Sequence, residues 1–328
     1  ARLVAVGDAA GDLTLWDAGT RRPAACRPGA HCSAYGILAL TEAPTAGQLL
    51  SQGRDGWVRC WDWAGLRADS APVWAVFTGS QGFCPAAFCE SWLASTTIDA
   101  DCVSLWRLPP GPAASSVAAA SRPLGRPNDP SASQGQSAVP SFGHDASVEA
   151  IGMCMDLRLP TSDLLVALYE SGHVFCYSMQ SSAWVPELCV RVLDAVPISL
   201  DVVPGKTAGR LRGVACGAGA ALAAFEVDLG RRRARLRATA TLTQGAGGQD
   251  AERGFSQVRV AANTKVLACA GWDGSVRVLG WRSLELVGVL RHHRGAVRAL
   301  AFAADTAALF SGGEDGHVAA WALPYADA

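Results

Sequence analysis

Two stretches of this chain set out the same four residues in the same order: His31, Ser51, Asp55 and Trp61, then His293, Ser311, Asp315 and Trp321. A histidine, a serine and a carboxylate are the parts of a general base, a nucleophile and an orienting acid, so each set has the composition of a hydrolytic triad. Recurrence argues for another use. An active site is assembled once, whereas a device that holds a repeated unit together is copied with the unit. A buried indole N–H needs an acceptor and a buried carboxylate needs donors, and these four residue types supply one another. All eight residues are therefore read as structural, and no catalytic residue is assigned.

Other chemistry is poorly represented. No Gly-rich phosphate loop follows a strand-like run, and no Gly-x-Ser-x-Gly is present. The 11 cysteines include no Cys-x-x-Cys pair, and Cys84 with Cys89 have no second pair nearby to complete a zinc site. Most fall within apolar, strand-like runs (Cys60, Cys102, Cys176, Cys216, Cys269), as reduced core thiols do. A reducing compartment is expected, with no metal and no cofactor.

Each polar set closes a short strand that follows a tight turn. SQGRDGWVRCWD runs from Ser51 to Asp62 and SGGEDGHVAAW from Ser311 to Trp321. Five further runs keep the outline and end on Trp16, Trp106, Tyr177, Phe225 and Leu279. Successive anchors are 45, 45, 71, 48, 54 and 42 residues apart. A period near forty, with an Asp-Gly turn and a closing Trp-Asp, is the signature of WD40 propeller blades. The expected fold is all-β, a single seven-bladed WD40 propeller over residues 1–328, each blade a four-stranded antiparallel sheet. Some copies are degenerate: Ala100 and Asp101, Gly219 and Ala220, or Ser171 replace the turn pair, blade four keeps Gly143-His144, and blade six ends on Leu279. Those blades are expected to rely on apolar packing.

The long interval holds a Pro/Ser/Gly/Ala-rich insertion at 109–147, between blades three and four, too polar to repay its own ordering. RRRARLRATATL (Arg231 to Leu242) is the one basic cluster and reads as an outermost strand whose charges guard its edge. The chain enters at what reads as the second strand of blade one, so the start of that blade is expected to be missing. A net charge of −1 gives no global attraction to nucleic acid or anionic membrane, and no apolar run approaches the roughly 20 residues of a membrane span.

Beyond the repeat, the chain resembles the guanine-nucleotide-binding-protein beta-subunit-like protein 1 family, also called the ASTRA-associated WD40 family. The residues that carry this are LLSQGRDGWVRCWDW (Leu49 to Trp63), LLVALYESGHVFCY (Leu164 to Tyr177), LACAGWDGSVRVLGWRSLELVGVL (Leu267 to Leu290) and the terminal HHRGAVRALAFAADTAALFSGGEDGHVAAWALPYA. The resemblance implies a non-enzymatic adaptor, cytoplasmic and nuclear. Its partners would be the co-chaperone machinery that matures phosphatidylinositol-3-kinase-related kinases, and the kinase clients. In fungi it implies a chromatin-associated assembly of the same components.

Three functional classes compete. A monomeric scaffold ring would bind protein partners through residues preceding the turn Asp position: Arg54, Glu170, Trp272 and Glu314. A chromatin subunit or histone-tail reader would need an aromatic cage or an acidic mouth. A G-protein beta-like signalling subunit would need an N-terminal coiled-coil helix, and no heptad pattern precedes blade one.

Overall fold

A computed structural model describes residues 3–43, 45–90, 92–108, 151–180, 183–242, 254–303 and 308–323. The insertion at 109–147 and the Gly143-His144 pair lie outside the described residues. Every described element is a β-strand, and the strands form seven antiparallel sheets, one for each anchor. The fold is that of a seven-bladed β-propeller.

Packing divides the chain into two compact units. The first is built on three sheets. One joins β1 (Leu3–Gly7), β2 (Leu13–Asp17) and β3 (Arg22–Arg27). Another joins β4 (Ile37–Glu42), β5 (Gln48–Gly53), β6 (Trp57–Asp62) and β7 (Trp74–Phe77). The third joins β8 (Ala87–Cys89), β9 (Trp92–Thr96) and β10 (Val103–Arg107).

The fourth sheet runs in the order β11 (Cys154–Thr161), β12 (Leu164–Tyr169), β13 (His173–Gln180), β14 (Ala183–Arg191). The second unit holds the remaining three. The fifth is β15 (Pro197–Pro204), β16 (Arg210–Gly217), β17 (Ala221–Asp228) and β18 (Arg233–Thr241). The sixth is β19 (Phe255–Val260), β20 (Val266–Gly271), β21 (Ser275–Gly280) and β22 (Leu286–Arg291). The seventh is β23 (Val297–Phe302), β24 (Ala308–Gly313) and β25 (Val318–Ala322).

Burial follows position in the sheet. The second strands β12 and β20 are buried at every residue, which is why LLVALY and VLACAG read as unbroken runs of mostly apolar residues. The outer strand β18 is mostly exposed and carries the arginines. Side chains from successive sheets pack together. Trp61 lies with Leu13, Leu15, Ala30 and Leu49, and Trp321 packs on Ala268, Val276, Val278 and Val297. Bulges recur at equivalent places. The first residue of β4, β15, β19 and β23 is followed by a register shift, and in three sheets another shift falls at the anchor, at Trp16, Phe225 and Leu279. Such a bulge increases local twist, which turns the outer strand relative to the one it pairs with.

Inner strands in the second half of the chain are fastened in sequence. Asp156 on β11 accepts the Leu200 amide at 2.8 Å and the Ser199 hydroxyl at 3.0 Å on β15. Asp201 on β15 accepts the Val260 amide of β19 at 2.7 Å, and Gln257 Oε1 on β19 accepts the Leu300 amide of β23 at 2.5 Å. Arg158 bridges Asp156 and Asp201, balancing two carboxylates that are otherwise costly to bury.

Candidate functional site

The structure joins each polar set into one hydrogen-bonded chain. In blade two His31 Nε2 lies 2.7 Å from Ser51 Oγ and its Nδ1 3.0 Å from Asp55 Oδ1, while Trp61 Nε1 donates to Ser51 Oγ at 2.8 Å. Asp55 also accepts the amides of Trp57 at 3.1 Å and Cys32 at 3.2 Å, and Arg59 Nη1 at 3.0 Å. Blade seven repeats the geometry. His293 Nε2 is 2.8 Å from Ser311 Oγ, its Nδ1 is 3.1 Å from Asp315 Oδ1, and Trp321 Nε1 donates to Ser311 Oγ at 2.9 Å. Asp315 accepts the amides of Arg294 at 3.0 Å and His317 at 3.1 Å.

Glycine makes room for these chains. A Cβ on Gly53 would fall 2.2 Å from His31 Nδ1, and one on Gly313 2.5 Å from His293 Nδ1. Both serines are buried and their oxygens are engaged by an indole and an imidazole. An attacking oxygen must reach its substrate, and these are enclosed. The chains tie turn to strand.

Burial pushes the Asp55 carboxyl up, but the His31 hydrogen bond and charge, the Trp57 amide and Arg59 outweigh it and hold the group well below the usual carboxylate range. Asp315 is held low in the same way, first by the Arg294 amide and then by His293.

Blade six, expected to rely more on apolar packing than on a polar chain, carries a polar lock of its own. Arg277 donates Nη2 to Asp273 Oδ2 at 2.8 Å and Nη1 to Ser275 Oγ at 2.8 Å, with its side chain 3% exposed. A Cβ on Gly271 would meet Asp273 Oδ1 and Arg277 Nη1, as one on Gly53 or Gly313 meets a carboxylate and a histidine. Guanidinium thus stands where the other blades place imidazole. The visible signal was the Asp-x-x-x-Arg spacing, shared by Asp55 with Arg59 and Asp273 with Arg277. Among the described residues of blade four, Ser171 Oγ lies 3.0 Å from His173 Nδ1.

The residues preceding the turn carboxylates differ in setting. Arg54 lays its guanidinium over Phe83, 4.4 Å from the ring centroid, and donates Nε to Gln81 O at 3.2 Å. Glu170 is half-buried and accepts the Met153 amide at 3.3 Å. Glu314 is exposed and paired with Arg298. Trp272 is half-buried rather than free: its ring lies against Gly254, where a Cβ would meet it at 2.6 Å, and its amide donates to Gly254 O at 3.1 Å.

An apolar cluster beside the blade-two turn escaped the sequence reading. Phe77 is 59% exposed and packs tilted against Trp57, with ring centroids 5.2 Å apart and planes at 56°. Its ring presses on the β5–β6 turn at Gly56, whose φ of 81° lies in the left-handed region that favours glycine. Gly79, at φ 73°, lies between Phe77 and Ile98, which is 80% exposed. On the Arg54 side of the same turn Phe83 is 64% exposed.

Residues 284–321, the last blade with the chain leading into it, match the family model described as WD domain, G-beta repeat. The fold is a seven-bladed WD40 propeller. The chain is 25% identical over 325 residues to guanine nucleotide-binding protein subunit beta-like protein 1 of Mus musculus, covering 97% of this chain and 86% of that protein. It is 29% identical over 192 residues to ASTRA-associated protein 1 of Clavispora lusitaniae, covering 56% of this chain and 49% of the relative. The protein of the same name in Schizosaccharomyces pombe is 31% identical over 70 residues, 21% of this chain and 19% of the relative. These are the relatives whose motifs the sequence resembles. Among the described residues no His, Cys, Asp or Glu group is placed to hold a metal ion, and no helix is long and apolar enough to cross a membrane.

Proposed function

We propose that this WD40 chain is a non-enzymatic scaffold, cytoplasmic and nuclear, that binds protein partners of the co-chaperone machinery maturing phosphatidylinositol-3-kinase-related kinases. The observation that carries the scaffold reading is the solvent-facing set of Phe77, Ile98 and Phe83 around the Arg54 turn. Aromatic side chains and arginine concentrate binding energy at interfaces, and exposed large apolar side chains held together on a rigid turn are costly in water. The turn residues Arg54, Glu170, Trp272 and Glu314 belong to the same reading. Two fungal relatives named ASTRA-associated proteins support the choice of assembly. The single-ring, monomeric organisation is part of the proposal.

Affinity purification of the full-length protein tests it, with wild type set against the variant Arg54→Glu/Phe77→Ser/Ile98→Ser. Co-chaperone and kinase chains should be recovered by wild type and lost by the variant, with superimposable melting curves. Recovery of histones or of a G-protein gamma chain in their place overturns the assignment. Equal recovery by both forms removes this surface from it.

A further inference from the structure

Blade five displays two rows of charge running straight across three strands. Arg210 on β16 stands opposite Asp228 on β17, which stands opposite Arg233 on β18. One step along, Arg212 stands opposite Glu226, which stands opposite Arg235. Directly paired residues share a face of the sheet. The bulge between Ala224 and Phe225 brings Arg237 onto the same carboxylate, so Glu226 accepts Arg235 Nη2 at 2.9 Å and Arg237 Nη1 at 2.5 Å. Arg210 Nε pairs with Asp228 at 2.9 Å, and Arg233 has no acidic partner among the described residues. Glu226 pairs with two guanidiniums and Asp228 with Arg210 and, at 3.9 Å, Arg231, while Arg212 and Arg233 add further charge, so the face keeps an excess positive charge although the chain as a whole carries −1.

The excess is locally enforced. Arg212 stacks on Trp281 at 4.7 Å and donates Nη2 to Arg282 O at 3.2 Å, leaving its Nε buried without a partner. Its guanidinium is held below its usual range by burial and by the Arg237 charge. Arg233, Arg235 and Arg237 all lie exposed. β18 pairs only with β17, so its other edge offers unpaired amide and carbonyl groups among the described residues.

We infer that the outer edge and arginine face of β18 form a docking site for an extended, acidic segment of a protein partner that adds as a further strand. Side chains on one face of an added strand recur about every 6.8 Å, the two-residue step that separates Arg233 from Arg235, and the bulge adds Arg237 beside them over Glu226. Glu or Asp at alternate positions meets the arginines in turn, while main-chain hydrogen bonds come from the open edge. A second copy of this strand brings like charges together and is repelled, so the stripe that guards the edge against itself also selects its opposite. Nucleic acid fits less well, because Glu226 and Asp228 interrupt the stripe and Trp281, the aromatic ring beside it, is covered by Arg212. This site lies outside the residues invoked for the scaffold above and stands independently of that proposal.

The test is fluorescence anisotropy with a short labelled peptide alternating Glu and Thr, set against a Gln/Thr peptide and one with the same Glu and Thr residues in two separate blocks. Full-length wild type should bind the alternating Glu peptide at least about 10-fold more tightly than either control, and more weakly as salt rises. Arg233→Glu/Arg235→Glu/Arg237→Glu should abolish that preference. Should that variant melt early, the corresponding triple Gln variant, which keeps side-chain bulk, decides the matter by the same loss. Equal binding of the blocked peptide, binding of the Gln peptide, retention of binding by the well-folded triple variant, or tighter binding of single-stranded DNA each overturns the proposal.

Discussion

The Arg277 guanidinium grips both carboxylate oxygens of Asp273, four residues earlier, at 2.8 and 3.2 Å, and so closes the turn of blade six without a histidine or a tryptophan. Two families of turn lock therefore coexist in one chain, one built on imidazole and one on guanidinium. They differ in what their removal leaves behind.

Arg277→Ala should cost about 3 to 5 kcal/mol, because it leaves the Asp273 carboxylate largely enclosed with its charge unpaired. Arg277→Lys should recover only part of this, since an ammonium cannot span both oxygens and Ser275 together. Chemical unfolding of the two variants checks the order. Equal stability of Arg277→Lys and wild type would show that charge alone suffices.

The anchors should rank by burial. Trp61 is 1% exposed, so Trp61→Ala should cost about 3 to 5 kcal/mol. Trp321, half-buried on the blade-six core, should cost about 2 kcal/mol, and Trp16, at 39% exposure, less than about 1 kcal/mol. Thermal unfolding of the three variants gives the ranking directly.

Acid should weaken the blade-two lock. The folded Asp55 carboxyl is held below its unfolded value, so its contribution is complete above the ordinary carboxylate pKa of about 3.9 and is lost as pH falls through the lower folded value. Asp55→Asn should be less stable than wild type at neutral pH, and the gap should narrow below about pH 4. Urea midpoints measured across that range test the sign; a gap that widened on acidification would contradict the assignment.

Thiol reactivity should divide along burial. Burial pushes the Cys60, Cys176 and Cys269 thiols up to about 12, so at neutral pH they stay protonated and shielded. Cys26 and Cys32 are exposed and should account for the fast phase with a disulfide reagent. Cys26→Ser/Cys32→Ser should remove that phase, and denaturant should release the slow thiols.

Sequence reading reached furthest where a feature is copied. Seven anchors at a near-constant period imply seven sheets, and two identical polar sets declare an architectural role that neither declares alone. It fell short where one residue type can serve two settings. Arg277 occupies an alternate strand position where an arginine ordinarily faces water, and only the structure shows it turned in beside Gly271. Asp156 and Asp201 read as polar alternations within apolar strands, yet their acceptors serve the next sheet, a relationship that spacing along the chain does not carry. Phe77 and Ile98 belong to different blades and flank Gly79, which takes a positive φ. Trp272, a candidate contact by its place before the turn, also lies against Gly254, a neighbour that spacing along the chain does not reveal.

The relay from Asp156 to Asp201 to Gln257 has a kinetic meaning. Each of these inner strands presents amides that stay unsatisfied until the preceding sheet delivers its acceptor, and each delivers an acceptor that has no use until the following sheet arrives. A half-assembled array therefore always carries an unsatisfied group at its growing end, and adding the next sheet relieves it. Growth is favoured in one dimension, by nearest neighbours. The connecting acceptors are two carboxylates followed by an amide oxygen, so a sheet docked against the wrong neighbour forgoes the bond that its own junction supplies.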